Sequence, residues 1–110
     1  MNQLYLDQVV IKFKKFIETQ KLPIHSIYLF GSRVKNLNHN ESDYDFLVLL
    51  NDITDLKKFK NYKRKIIVQA HQEIPKTPMD ILVKNVSEFE SYKLKINTLY
   101  NTIYEEGILL

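Results

Sequence analysis

The chain has 110 residues, 45% hydrophobic and 26% charged, with a formal net charge of +3 and no cysteine. That length suits one hydrophobic core and leaves little for a second module. The missing cysteine excludes a disulfide framework and a thiolate zinc site, and the mildly basic balance does not by itself assign a partner.

The opening run MNQLYLDQVVIKFKKFIETQ breaks its apolar positions with Asp7, Lys12, Lys14 and Lys15. This predicts an amphipathic helix rather than a signal peptide or a membrane span, and a soluble, cytoplasmic protein. Leu6, Val9, Val10, Phe13, Phe16 and Ile17 recur at helical spacing and place one apolar stripe along that helix, which ends before Pro23. HSIYLF, closed by Gly31, and DYDFLVLL, closed by Asn51 and Asp52, read as strands. The polar connection between them reads as a brief helical turn after Ser32 followed by a loop.

From about Thr54 to Glu73, Leu56, Phe59, Tyr62, Ile66, Ile67 and Ala70 have helical spacing, and Pro75 and Pro78 close the segment. Its basic run, Lys57, Lys58, Lys60, Lys63, Arg64 and Lys65, reads as a solvated face opposite a buried stripe. An acidic protein partner and nucleic acid are the alternatives to that reading. No RNA-binding motif or stacking aromatic platform accompanies the run, so it is a weak signal for either, and nucleic acid is not expected as a partner. MDILVK, Met79 to Lys84, is a third strand. Ser87 and Glu90 have the spacing of a capping box, followed by a last helical stripe of Tyr92, Ile96, Leu99, Tyr100 and Ile103 ending before Gly107. The order helix, strand, strand, helix, strand, helix predicts a single α/β (α+β) domain over residues 1–110, with a small mixed sheet flanked by helices.

The chemistry concentrates where the second strand begins. Residues alternate across a strand, so Asp43 and Asp45 share one face while Tyr44 and Phe46 share the other. Two carboxylates held that close resist joint ionisation unless a positive charge lies between them. Oxygen ligands alone favour Mg²⁺ or Mn²⁺ over zinc. Asp80 opens another apolar strand and would supply a third carboxylate, enough for two cations serving phosphoryl chemistry. Gly31-Ser32, directly after a strand, leaves room for a phosphate to approach backbone amides, and Ser32 adds a hydroxyl. His25, His39 and His71 show no ligand spacing with one another, and no histidine partner for Ser32, Ser42 or Ser87 can be justified. Lys84 shares a strand face with Asp80 and could reach a phosphate, with a snorkelling surface lysine as the default reading.

Gly31-Ser32, ten intervening residues and Asp43-x-Asp45 resemble the signature of the nucleotidyltransferase superfamily related to DNA polymerase β. The small size makes the chain similar to minimal nucleotidyltransferase (MNT) proteins, and the tail NTIYEEGILL resembles that family's closing Tyr-Glu-Gly segment. The resemblance implies the nucleotidyltransferase fold and transfer of AMP from ATP to a hydroxyl, with Mg²⁺ or Mn²⁺. It implies that Gly31, Ser32 and Arg33 hold the triphosphate, that Asp43 and Asp45 bind metal, and that Asp80 is the third carboxylate and the base for the acceptor hydroxyl. Many relatives carry a glycine shortly after the Gly-Ser pair; here the chain reads Arg33-Val34-Lys35-Asn36, and asparagine tolerates a left-handed turn. The resemblance further implies a helical HEPN-family partner, with this chain as the antitoxin that caps a partner tyrosine with AMP. Two alternatives stand beside it: a non-catalytic module that neutralises a partner by contact, and a small-molecule nucleotidyltransferase working as a homo-oligomer.

Overall fold

A computed structural model of the chain describes residues 7–31, 34 and 43–110. Leu6, Ser32, Arg33, His39 and the connection after Ser32, apart from Val34, lie outside the described residues. Helix α1 (Gln8–Thr19) leads into strand β1 (Ile24–Phe30), then β2 (Tyr44–Leu50), α2 (Leu56–Glu73), β3 (Met79–Asn85), α3 (Val86–Tyr92), α4 (Leu99–Glu106) and β4 (Ile108–Leu109). The strands form one mixed sheet in the order β3-β2-β1-β4. β1 runs antiparallel to β2 and β4, whereas β2 and β3 are parallel and joined through α2.

The sheet is covered on both faces, which explains why β2 is apolar almost throughout. On one side Tyr44, Phe46, Val48 and Leu50 meet Val10, Phe13, Phe16 and Ile17 of α1 and Ile66 and Ala70 of α2. Phe13 and Phe46 stack there with ring centroids 3.8 Å apart. On the other side Leu47 and Leu49 pack with Phe89 of α3 and Ile103 of α4, bordered by Tyr28, Phe30 and Tyr100. The 3.6-residue periodicity of α1 and α2 thus marks their buried stripes, except that Leu56, expected on the stripe of α2, is exposed at the first helical position, outside the core that Phe59, Tyr62, Ile66, Ile67 and Ala70 join. Asp55 caps α2 by accepting from the Lys58 amide at 3.0 Å.

The last predicted helix is corrected. Two helices, α3 and α4, replace one, and Tyr92, Ile96 and Leu99 are exposed rather than aligned on a buried stripe. Between them Asn97 adopts φ 70°, a left-handed conformation that a continuing helix cannot contain. Thr98 caps α4 by accepting from the Asn101 amide at 3.1 Å, and its hydroxyl donates to the Lys95 carbonyl at 2.7 Å. Ser87 is not the predicted cap, because it already lies inside α3. Its amide instead donates to Asp52 Oδ1 at 2.9 Å, so a side chain from the β2–α2 connection satisfies that helix end. The added strand β4 follows Gly107, whose amide bonds the Ile103 carbonyl at 2.7 Å. A Cβ at Gly107 would stand 2.5 Å from that same carbonyl oxygen, so the close of α4 requires glycine.

Candidate active site

The carboxylates gather at the beginnings of the two parallel strands. The β2–β3 register sets Asp45 opposite Asp80, and side-chain alternation turns both toward the sheet face that carries Leu47, Leu49 and Leu82. Asp43 lies immediately before β2, two residues from Asp45 and exposed. On the other flank the β1–β2 register pairs Asp45 with Phe30, the residue before Gly31. The topology thus brings Gly31, Asp43, Asp45 and Asp80 to one end of three adjacent strands.

Gly31 and Asp45 are fitted to one another. Gly31 has φ 81°, and a Cβ built on it would lie 2.2 Å from Asp45 Oδ2. The space a side chain would fill is therefore occupied by the carboxylate, and the backbone conformation independently favours glycine. Beyond this contact the Gly31 carbonyl accepts the Val34 amide at 3.1 Å.

Asp45 holds its proton to higher pH than an ordinary aspartate. Partial burial is the largest cause, followed by the negative charges of Asp80 and then Asp43. Among the described residues, no lysine or arginine forms an ion pair with these three groups. Nor, among the described residues, do three acidic, histidine or cysteine side chains close tightly enough to enclose a cation. The chemical character of the cluster fits a hard divalent cation: oxygen donors only, with the Asp45 carboxylate disfavoured in its charged form by burial and by neighbouring negative charge.

Asp7 escaped the sequence reading as anything more than a charge on the first helix. Its Oδ1 accepts from the amides of Val9 and Val10 at 2.9 and 3.2 Å, capping α1. Its Oδ2 accepts from the hydroxyl of Tyr44 at 2.7 Å. Tyr44 stands between Asp43 and Asp45 and points to the opposite face, so Asp7 anchors the start of β2 from beneath the carboxylates. The available signal was an acidic residue at the head of an apolar stripe, the usual mark of a helix cap. The bond to Tyr44, thirty-seven positions away in sequence, carried no local signal.

On the same sheet face as Asp80, Leu82 and Lys84 form one wall of a groove of about 430 Å³ completed by Glu88, Tyr92, Leu99 and Tyr100. Tyr100 donates to Glu88 across this groove, and burial together with that acceptor raises the phenol well above its ordinary pKa. Lys84 therefore lies on the same strand face as Asp80 as predicted, four positions farther along β3.

A glycine packed against one of several strand-borne carboxylates, at the end of a mixed sheet, suits phosphate chemistry better than a hydrolase triad. None of the curated proteins compared with the chain matches it. The family model described as a nucleotidyltransferase domain does match, over residues 10–110, and the fold just described accords with it. Because that match takes in the whole sheet and every described carboxylate of the cluster, the chain belongs to the nucleotidyltransferase domain family.

Proposed function

We propose that the protein transfers AMP from ATP to a hydroxyl on a helical HEPN-family partner, with a tyrosine as acceptor. Membership of the nucleotidyltransferase domain family supports nucleotidyl transfer from a nucleotide substrate. The single observation that carries the assignment of residues is the register that sets Asp45 opposite Asp80 while Gly31 packs against the Asp45 carboxylate.

In this reading Gly31, Ser32 and Arg33 hold the triphosphate, and Asp43, Asp45 and Asp80 form the metal-binding set. Mg²⁺ or Mn²⁺, when bound, supplies positive charge that offsets the phosphates and the clustered carboxylates. Asp80 accepts the proton of the acceptor hydroxyl. The acceptor oxygen forms a bond to the α-phosphorus as the bond from that phosphorus to the bridging oxygen breaks, and pyrophosphate leaves. The protein's contribution is alignment of acceptor and phosphate together with fixed charge. The acceptor arrives on another folded surface, since one small domain has little room for a second enclosed pocket.

The test is incubation with ATP labelled at the α-phosphate and Mg²⁺, in the presence either of the helical protein encoded beside this one or of small hydroxyl acceptors. Label on a tyrosine of the protein partner, lost in Asp45→Asn, is the expected result. Label on small acceptors alone would replace the protein acceptor with a small-molecule one. Undiminished neutralisation of the partner by Asp45→Asn, with no label transferred, would establish inhibition by contact.

A further inference from the structure

The basic run of α2 departs from the ordinary rules for a solvated helix. Between Asp55, the cap, and Glu73, the last helical residue, there are six lysine or arginine side chains and no acidic one. Lys57, Lys60 and Arg64 are exposed and follow one another at spacings of three and four, so they line the solvent-facing stripe opposite Ile66 and Ala70. Lys58 and Lys65, seven apart and also exposed, share one flank of it. Like charges at these spacings repel, whereas an exposed helix normally intersperses acids to gain pairing. The first turn contains no acidic residue and three of its early positions, Lys57, Lys58 and Lys60, place positive charge near the positive end of the helix dipole. Among the described residues, ion pairs occur on α1 and beside α3, and none neutralises this run.

The run is also remote from the nucleotide site. α2 packs on the sheet face opposite the one toward which Asp45 and Asp80 turn. It connects the end of β2 to the start of β3, so its basic first half lies toward the ends of the strands, whereas the carboxylates lie at their beginnings. The five residue steps from Asp45 to Leu50 span about 17 Å along the strand. These cations therefore do not serve the triphosphate.

We infer that the solvent face of α2, centred on Lys57, Lys60 and Arg64, is a docking surface for the phosphodiester backbone of a nucleic acid. Charge complementarity selects the occupant. Protein interfaces are depleted in lysine and enriched in aromatic residues and arginine, whereas this surface is mainly lysine, with Phe59 and Tyr62 turned partly into the core. Without an exposed stacking platform the surface reads phosphates rather than bases, so binding is insensitive to sequence and driven by counterion release. It proceeds independently of nucleotidyl transfer.

Fluorescence anisotropy of the full chain with mixed-sequence RNA and DNA duplexes of about 20 base pairs tests this, with a polyglutamate peptide of matched charge as the protein-like competitor. Engagement of about four phosphates predicts a loss of affinity on the order of 100-fold between about 50 and 200 mM salt. The combined substitution Lys57→Gln, Lys60→Gln and Arg64→Gln should weaken binding at least about tenfold and flatten the salt dependence. Its thermal stability should not fall, because like-charge repulsion is removed. Replacing Lys57 and Lys60 by arginine should retain binding, and so should Asp45→Asn. A preference for one duplex would identify which nucleic acid is bound. Binding to polyglutamate but to neither duplex, or duplex binding unchanged in the triple glutamine variant, would overturn the proposal.

Discussion

Asp7 and Tyr44 join the first helix to the strand at whose start the carboxylates gather: one oxygen of Asp7 caps α1 and the other accepts the Tyr44 hydroxyl at 2.7 Å. Since Tyr44 has one aspartate of the pair on each side, the attachment of α1 bears on where both carboxylates stand. Asp7→Ala should cost about 1–3 kcal/mol by removing a helix cap and leaving the tyrosine hydroxyl without this acceptor. Asp7→Asn should cost less, because asparagine also caps helices. Chemical denaturation ranks the two, and equal, negligible losses would show that the attachment is incidental.

Gly31→Ala should damage the site more than the fold. Its methyl group would meet Asp45 Oδ2 and push the carboxylate aside, while the left-handed backbone adds about 1–2 kcal/mol of strain. Transfer should fall far more than the modest drop in melting temperature accounts for. Parallel activity and melting measurements check this; an active Gly31→Ala enzyme would show that the close fit is dispensable.

The raised pKa of Asp45 sets the direction of a stability change. Between the ordinary aspartate range, near about pH 4, and the raised folded value, the folded state binds more protons than the unfolded chain. Stability from this group is therefore present at the acidic side of that window and is lost as pH rises through it. Asp45→Asn should remove this part of the pH dependence and make the cation-free protein as stable as its parent or more so at neutral pH, while abolishing transfer. Denaturation curves across the window, for parent and variant, provide the comparison.

ATP should bind weakly in the presence of a chelator and distinctly better with Mg²⁺ or Mn²⁺, because the aspartates and the triphosphate repel each other without positive charge between them. Isothermal titration under both conditions tests the assignment. Equal affinities would contradict a carboxylate set shared with metal.

Asp52→Ala should destabilise the protein by about 0.5–2 kcal/mol, although Asp52 is exposed and lies in a connection. The loss arises because the Ser87 amide at the start of α3 bonds to this carboxylate. Asp52→Asn should recover much of it, as thermal melting would reveal.

Local patterns made much of this fold legible. α1 and α2 announce themselves through helical periodicity, and the strand-start positions of Asp45 and Asp80 follow from apolar runs that each begin with a carboxylate. Their mutual register was not legible, since it depends on the packing of α2 across the sheet. The split between α3 and α4 was hidden because Tyr92, Ile96 and Leu99 keep a helical spacing that Asn97 interrupts. The Asp52–Ser87 cap replaces a local signal with a partner thirty-five residues distant. β4 is only two residues long and owes its existence to pairing with β1.

Since β2 is covered on both faces and β3 is matched to it residue for residue from Tyr44–Met79 to Leu50–Asn85, the architecture is intolerant of any change in strand length. One residue inserted between Asp80 and Leu82 would exchange the two sides of β3, sending a charge beneath α2 or apolar groups into water. Insertions in the connections at residues 51–55 or 75–78 leave that phase intact. Divergence in this chain is thus channelled into its connections, and within the paired strands even a single-codon insertion separates the acidic residues from one another.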